Sequence, residues 1–208
     1  FFDPETGARE HIGDPEAHLP ESRFNDGGTD PQGRFWAGTM KDMGTPEPCG
    51  AFYRLDTNLS VSKWKDGFWT TNGLAFSPEG SRMYLSDSNP KVRTIWACDY
   101  DSDTGTPGEP ELFFDTRQVK GRPDGGTVDA DGCYWQAAIE GWCLRRLSPK
   151  GEILETVEVP VEKPTKPMFG GKNLDILFFT SLGQSVTQRA AQPEAGSLFA
   201  ITGLGIKG

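Results

Sequence analysis

The sequence predicts an all-β fold, a β-propeller assembled from repeated four-stranded blades. Three observations lead there. Gly (26) and Pro (16) make up about a fifth of the 208 residues and aromatics 11%, a mix that suits many short strands and turns. No stretch carries a convincing amphipathic helical pattern; the best candidate, 184–194, reads more easily as a loop. A short motif also recurs at the spacing of a propeller blade.

The repeats, in chain order, open at Asn25 (Asn-Asp-Gly-Gly-Thr-Asp-Pro-Gln-Gly-Arg-Phe-Trp), Asn72 (Asn-Gly-Leu-Ala-Phe-Ser-Pro-Glu-Gly), Asp124 (Asp-Gly-Gly-Thr-Val-Asp-Ala-Asp-Gly-Cys-Tyr-Trp) and Thr165 (Thr-Lys-Pro-Met-Phe-Gly-Gly-Lys-Asn). In each, a turn residue stands eight positions on, at Gly33, Gly80, Gly132 or Asn173. Gly and Asn are the types that best tolerate positive φ. An aromatic or apolar strand follows each turn. A second hairpin then follows, as in Thr94–Tyr100, a turn, and Glu111–Phe114; two hairpins make one blade. The repeats lie 47, 52 and 41 residues apart, near the ~40–50 residues of known blades. The expectation is one incomplete propeller domain over 1–208, with blades starting near 23, 71, 122 and 164.

Equivalent positions of successive blades surround one central axis. Asn25, Asn72, Asp124 and Thr165 are therefore expected to form a ring of oxygen donors at one end of the channel. Carboxylate and amide oxygens suit hard cations. Asn-Gly and Asp-Gly are also ordinary turn formers; the shared register of three amide or carboxylate residues favours the ring.

Composition narrows the function. A net charge of −9 opposes binding to nucleic-acid phosphates. Mean hydropathy is −0.53, and no run approaches the roughly 18 apolar residues of a membrane span. Four scattered cysteines form no CxxC pair, which points to a reduced, cytoplasmic chain without structural zinc. His11 and His18 are the only histidines and no Gly-x-Ser-x-Gly elbow is present, so a Ser-His-Asp hydrolase is not expected. Gly203–Gly208 matches G-x-G-x-x-G but nothing follows it to make a dinucleotide fold. Asp99–Gly105 lacks the Gly and Glu of an EF-hand and reads as a hairpin turn. Phe35, Trp36, Tyr84, Tyr134, Trp135, Phe178 and Phe179 read as core between blades; Trp64, Trp69 and Trp142 could line a pocket.

Several of these segments resemble the senescence-marker-protein/regucalcin/gluconolactonase family. Arg23-Phe-Asn-Asp-Gly27 with Asp30–Met40 carries the most specific signature, and Asn72-Gly-Leu, Tyr84–Ser88, Pro123-Asp-Gly125, Phe169–Asn173 and Thr202–Gly208 match later motifs in order. The resemblance implies a six-bladed propeller holding one divalent cation (Ca²⁺, Zn²⁺, Mn²⁺ or Mg²⁺) and hydrolysing sugar lactones. It implies metal ligands at Asn72 and Asp124, Asp124 also as general base, and substrate contacts at Arg23 and Asn25. A family Glu precedes the strand that begins at Gly50, and Glu47 stands close to that place. The family's Gly-Glu-Gly-Pro ligand segment is not found in the sequence, and Phe2–Gly7 looks like a hairpin turn within a second blade. About four and a half blades, with an N-terminal part missing, are expected in consequence.

The chemistry agrees. A lactone carbonyl needs polarisation and an activated water; a cation and a carboxylate supply both. Asp124 is the acidic member of the ring, and Arg23 offers a planar donor fork to sugar oxygens. The expected activity is that of a lactonase, a carboxylic ester hydrolase acting on a small sugar lactone such as gluconolactone, with no obligatory protein partner. The alternative is a non-catalytic calcium-binding or regulatory propeller of the regucalcin type.

Overall fold

A computed structural model describes residues 1–183, 187 and 192–208; most of the loop candidate at 184–194 lies outside the described residues. The fold is all-β, with a partial-propeller arrangement of four sheets. The first blade is β1 (Ser22–Thr29), β2 (Phe35–Lys41), β3 (Gly50–Leu55) and β4 (Val61–Phe68), paired in that order. The second holds β5 (Thr71–Phe76), β6 (Arg82–Asp87) and β7 (Thr94–Asp101), with the two-residue β8 (Thr106–Pro107) and β9 (Glu111–Asp115) both on β7. A single 3₁₀ turn, Thr116–Gln118, leads to the third: β10 (Arg122–Val128), β11 (Tyr134–Ile139), β12 (Cys143–Leu147) and β13 (Ile153–Glu158). The fourth is β14 (Pro164–Gly170), β15 (Ile176–Ser181) and β16 (Leu198–Ile201). All neighbouring pairs are antiparallel. Ahead of the first blade, an antiparallel bridge joins Phe2 to Arg9 around a turn at Gly7, as the sequence suggested.

Period-two alternation packs blade on blade. Met83 and Leu85 of β6 join Trp36 and Phe52 of the first blade in one core, whereas Tyr84 between them faces Tyr134 and Leu147 of the third. Tyr134 faces backward; Trp135 and Ala137 face forward onto Phe169, Leu177 and Phe179 of the fourth blade. Every residue of β11 is consequently buried, while outer strands such as β13 are mostly exposed. The predicted aromatic core holds at Trp36, Tyr84, Tyr134, Trp135 and Phe179 (all 1% exposed or less), but Phe35 is 45% exposed on the far face of β2.

The β1–β2 and β10–β11 turns share one device. Asp30 Oδ1 accepts from the Gln32 and Arg34 amides (3.0 and 2.8 Å), and Asp129 Oδ1 from Asp131 and Cys133 (3.0 and 2.9 Å). The other oxygen of Asp129 takes Trp135 Nε1 (2.9 Å) and Arg146 Nε (2.7 Å), so this fully buried carboxylate is paired and hydrogen-bonded on both sides.

Candidate functional site

The innermost strands β1, β5, β10 and β14 share an irregularity. Each loses register with its hairpin partner over the same short stretch: between Phe24 and Gly27, Asn72 and Ala75, Pro123 and Gly126, and Pro164 and Pro167. Such bulges release residues from the ladder and re-aim their side chains. The released pairs are Asn25–Asp26, Gly73–Leu74, Asp124–Gly125 and Thr165–Lys166. Asn72 and Asp124 thus lie inside strands, and neither is a hairpin-turn residue.

These bulges surround a cleft of about 450 Å³, lined in part by Arg23, Asn25, Asn72, Asp124, Thr165 and Lys166. All four members of the expected ring are on its wall, but their oxygens are not equally available. Asn25 Oδ1 accepts from Arg23 Nη1 (2.9 Å) and its Nδ2 donates to the Thr71 carbonyl (2.8 Å). The Thr165 hydroxyl is bonded to that of Thr180 (2.7 Å). Asn72, 5% exposed, donates Nδ2 to Ser88 Oγ (2.6 Å), and among the described residues its Oδ1 has no partner. Asp124 makes no ion pair among the described residues. Burial, with the Asp26 charge nearby, pushes its carboxyl up to about 7; Lys166, Arg122 and the Gly125 amide pull the other way.

Arg23 is 45% exposed and pairs with Asp42 through Nε (2.7 Å), not with its sequence neighbours Glu21 or Asp26. Glu47 does not line the cleft; it holds Lys41 (2.5 Å) beside Glu21, outside the ring. Trp64, Trp69 and Trp142 do not line it either; Trp64 packs edge-on against Trp36 in the core of the first two blades.

Four cleft residues escaped the sequence reading. Asp26 receives Lys166 Nζ (2.9 Å) from the fourth blade and the Leu74 amide freed by the bulge in β5 (3.0 Å). Lys166 also donates to the Leu74 carbonyl (3.2 Å). Ser88 and Arg122 form the wall beside Asn72. In a regular strand Asp26 and Lys166 would face away from Asn25 and Thr165; only the bulge puts both of each pair on the cleft.

A hard cation prefers carboxylate and amide oxygens. Asp124 and Asn72 offer one of each, and a buried carboxylate that among the described residues makes no direct ion pair is one that a cation would relieve. Among the described residues no three of His, Cys, Asp and Glu gather to hold a metal. The residues therefore fit part of a coordination shell.

The sequence profile of the SMP-30/gluconolactonase/LRE-like region matches residues 1–183. The chain belongs to this family. Among curated SMP-30/gluconolactonase-like relatives, regucalcin of Danio rerio is 39% identical over 193 residues, 91% of this chain and 65% of the relative. The 6-deoxy-6-sulfogluconolactonase of Pseudomonas putida is 38% identical over 182 residues, covering 86% and 61% respectively. Among solved family structures, a calcium-binding regucalcin from Agrobacterium tumefaciens superposes with a TM-score of 0.89 at 31% identity, over 99% of this chain and 68% of that one. A luciferin-regenerating enzyme gives 0.86 at 34% identity, over 95% and 66%. The chain thus spans somewhat under two thirds of the length of the curated relatives it matches.

Proposed function

We propose that the polypeptide carrying this sequence hydrolyses a small sugar lactone of the gluconolactone type to the aldonic acid, assisted by a divalent cation. The observation that supports this most is the pairing, on one cleft wall, of a carboxylate at Asp124 that makes no ion pair among the described residues with an amide oxygen at Asn72 that has no partner among them. The named activity of the Pseudomonas relative agrees with it.

In this reading Asn72 and Asp124 hold the cation. When bound, it would supply polarisation of the lactone carbonyl and a lowered pKa for water. Asp124 takes a proton from the attacking water as oxygen bonds to the carbonyl carbon. The ring C–O bond then breaks, and the leaving oxygen takes up the proton that Asp124 holds. Arg23, whose Nη2 has no partner among the described residues, and Asn25, which fixes the fork by accepting from Nη1, meet the sugar hydroxyls. Asp26–Lys166 supports the floor.

The test is acid release from gluconolactone above the spontaneous rate, with Ca²⁺, Zn²⁺, Mn²⁺ or Mg²⁺ added to chelator-treated natural polypeptide. Cation-dependent turnover that is lost in Asp124→Asn by about a hundredfold or more is expected. Calcium binding without turnover would instead favour a regulatory role, the reading that the calcium-binding regucalcin relative suggests.

A further inference from the structure

Ser88 follows β6 and is 4% exposed, against the flank of Asn72. All of its polar groups are engaged. Its amide donates to the Thr70 carbonyl (3.0 Å), and its carbonyl accepts from Arg122 Nη1 (2.6 Å). Arg122 is in turn held by Glu140 through Nε and Nη2 (3.0 and 2.8 Å). The Ser88 hydroxyl reaches two groups, Asn72 and the carbonyl of Pro123, the residue just before Asp124.

A serine hydroxyl has one proton. The Pro123 carbonyl can only accept, so the Ser88 proton must lie between them. Ser88 Oγ is left as a pure acceptor toward Asn72, and only the NH₂ end of the Asn72 amide can satisfy it. A flipped amide would set oxygen against oxygen at 2.6 Å, inside the range of a hydrogen bond yet without a proton. We propose that Ser88 is a positioning residue that dictates the orientation of the Asn72 amide, so that Oδ1 faces the cleft. The same hydroxyl ties Asn72 to the backbone beside Asp124, so the two oxygen donors are held relative to one another across the join between second and third blades. The role given to that oxygen rests on the cation reading above; the orientation itself does not.

The test has two arms. In ¹⁵N NMR of the natural polypeptide, one Nδ2 proton of Asn72 (assigned by its loss in Asn72→Ala) exchanges at least about tenfold more slowly than an exposed amide. Ser88→Ala removes that protection. An unprotected Asn72 amide, or one equally protected in Ser88→Ala, overturns the proposal. Should Ser88→Ala not fold, a neutron structure of the unmutated protein decides: a deuteron between Ser88 Oγ and Pro123 O is expected, and one pointing from Ser88 to Asn72 overturns it. The second arm is calorimetric titration with Ca²⁺ alone. Ser88→Ala weakens binding by roughly tenfold, as outer-shell losses do, yet has no further effect in an Asn72→Ala background. Additive losses in that cycle refute action through Asn72. Protection of the amide without any Ca²⁺ binding by the unmutated protein would sink the cation reading and leave the orientation standing.

Discussion

Asp124 shows what the proposed chemistry asks of a single residue. Its carboxyl ionises near 7 in the folded chain and in the ordinary carboxylate range when unfolded. Below both values the two states bind the same proton. As pH rises between them the unfolded state releases it first, so stability falls until pH passes the folded value. In chelator-treated buffer, Asp124→Asn is accordingly expected to melt several degrees above the unmutated protein at pH 8 and with it at pH 4, and to show no turnover when cation is restored. Melting curves at the two pH values check this; a pH-independent difference would contradict it. Added cation should narrow the gap at pH 8, because binding to the folded form alone stabilises it. Glu140 behaves with the opposite sign. Arg122 draws its pKa down, so its contribution is present above the usual glutamate range and is lost as pH falls through the lowered value. An Arg122→Gln protein should therefore lose less stability on acidification, measured by denaturant midpoints at pH 6 and pH 3.

The bulged inner strands are the elements that build the cleft, and they depend on backbone approach. A Cβ on Gly125 would lie 2.4 Å from Lys166 Cδ and 2.7 Å from the Thr165 carbonyl, so β10 and β14 sit closer than any side chain allows. Gly125→Ala should cost about 1–3 kcal/mol, read from chemical unfolding, and should weaken Ca²⁺ binding because the strain falls beside Asp124. At this scale much was legible in the sequence. The repeat spacing and the turn glycines Gly33, Gly80 and Gly132 mark hairpins that the structure contains, and Asn25, Asn72, Asp124 and Thr165 do share one wall. What was not legible follows from the bulges. A one-residue excess leaves no signature in alternation, so nothing in the sequence marked Asp26 and Lys166 as cleft residues. Nor does spacing reveal that Thr180 and Arg23 already occupy the oxygens of Thr165 and Asn25. Glu47 was judged by nearness in sequence, whereas Lys41 holds it on another surface.

At the scale of the molecule, successive blades are joined by apolar cores, and among the described residues an ion pair across the channel, Asp26 with Lys166, 140 residues apart, links the first and fourth. The Asp26 side chain is only 10% exposed, so removing its partner strands a charge. Lys166→Met should destabilise by roughly 3 kcal/mol, and adding Asp26→Asn should recover part of that loss; equal losses in the single and double variants would show that a stranded Asp26 charge is not the cause. Lys166 also has a consequence for traffic. Among the described residues it alone borders both the 450 Å³ cleft and a second cavity of about 280 Å³ further along the axis, lined by Gly27, Gly28 and Gly126. Held by Asp26 and the Leu74 carbonyl, its side chain stands as a partition between the two. On the proposed lactonase reading, substrate and product would occupy the same cleft beside Asp124, so inhibition by product should be competitive.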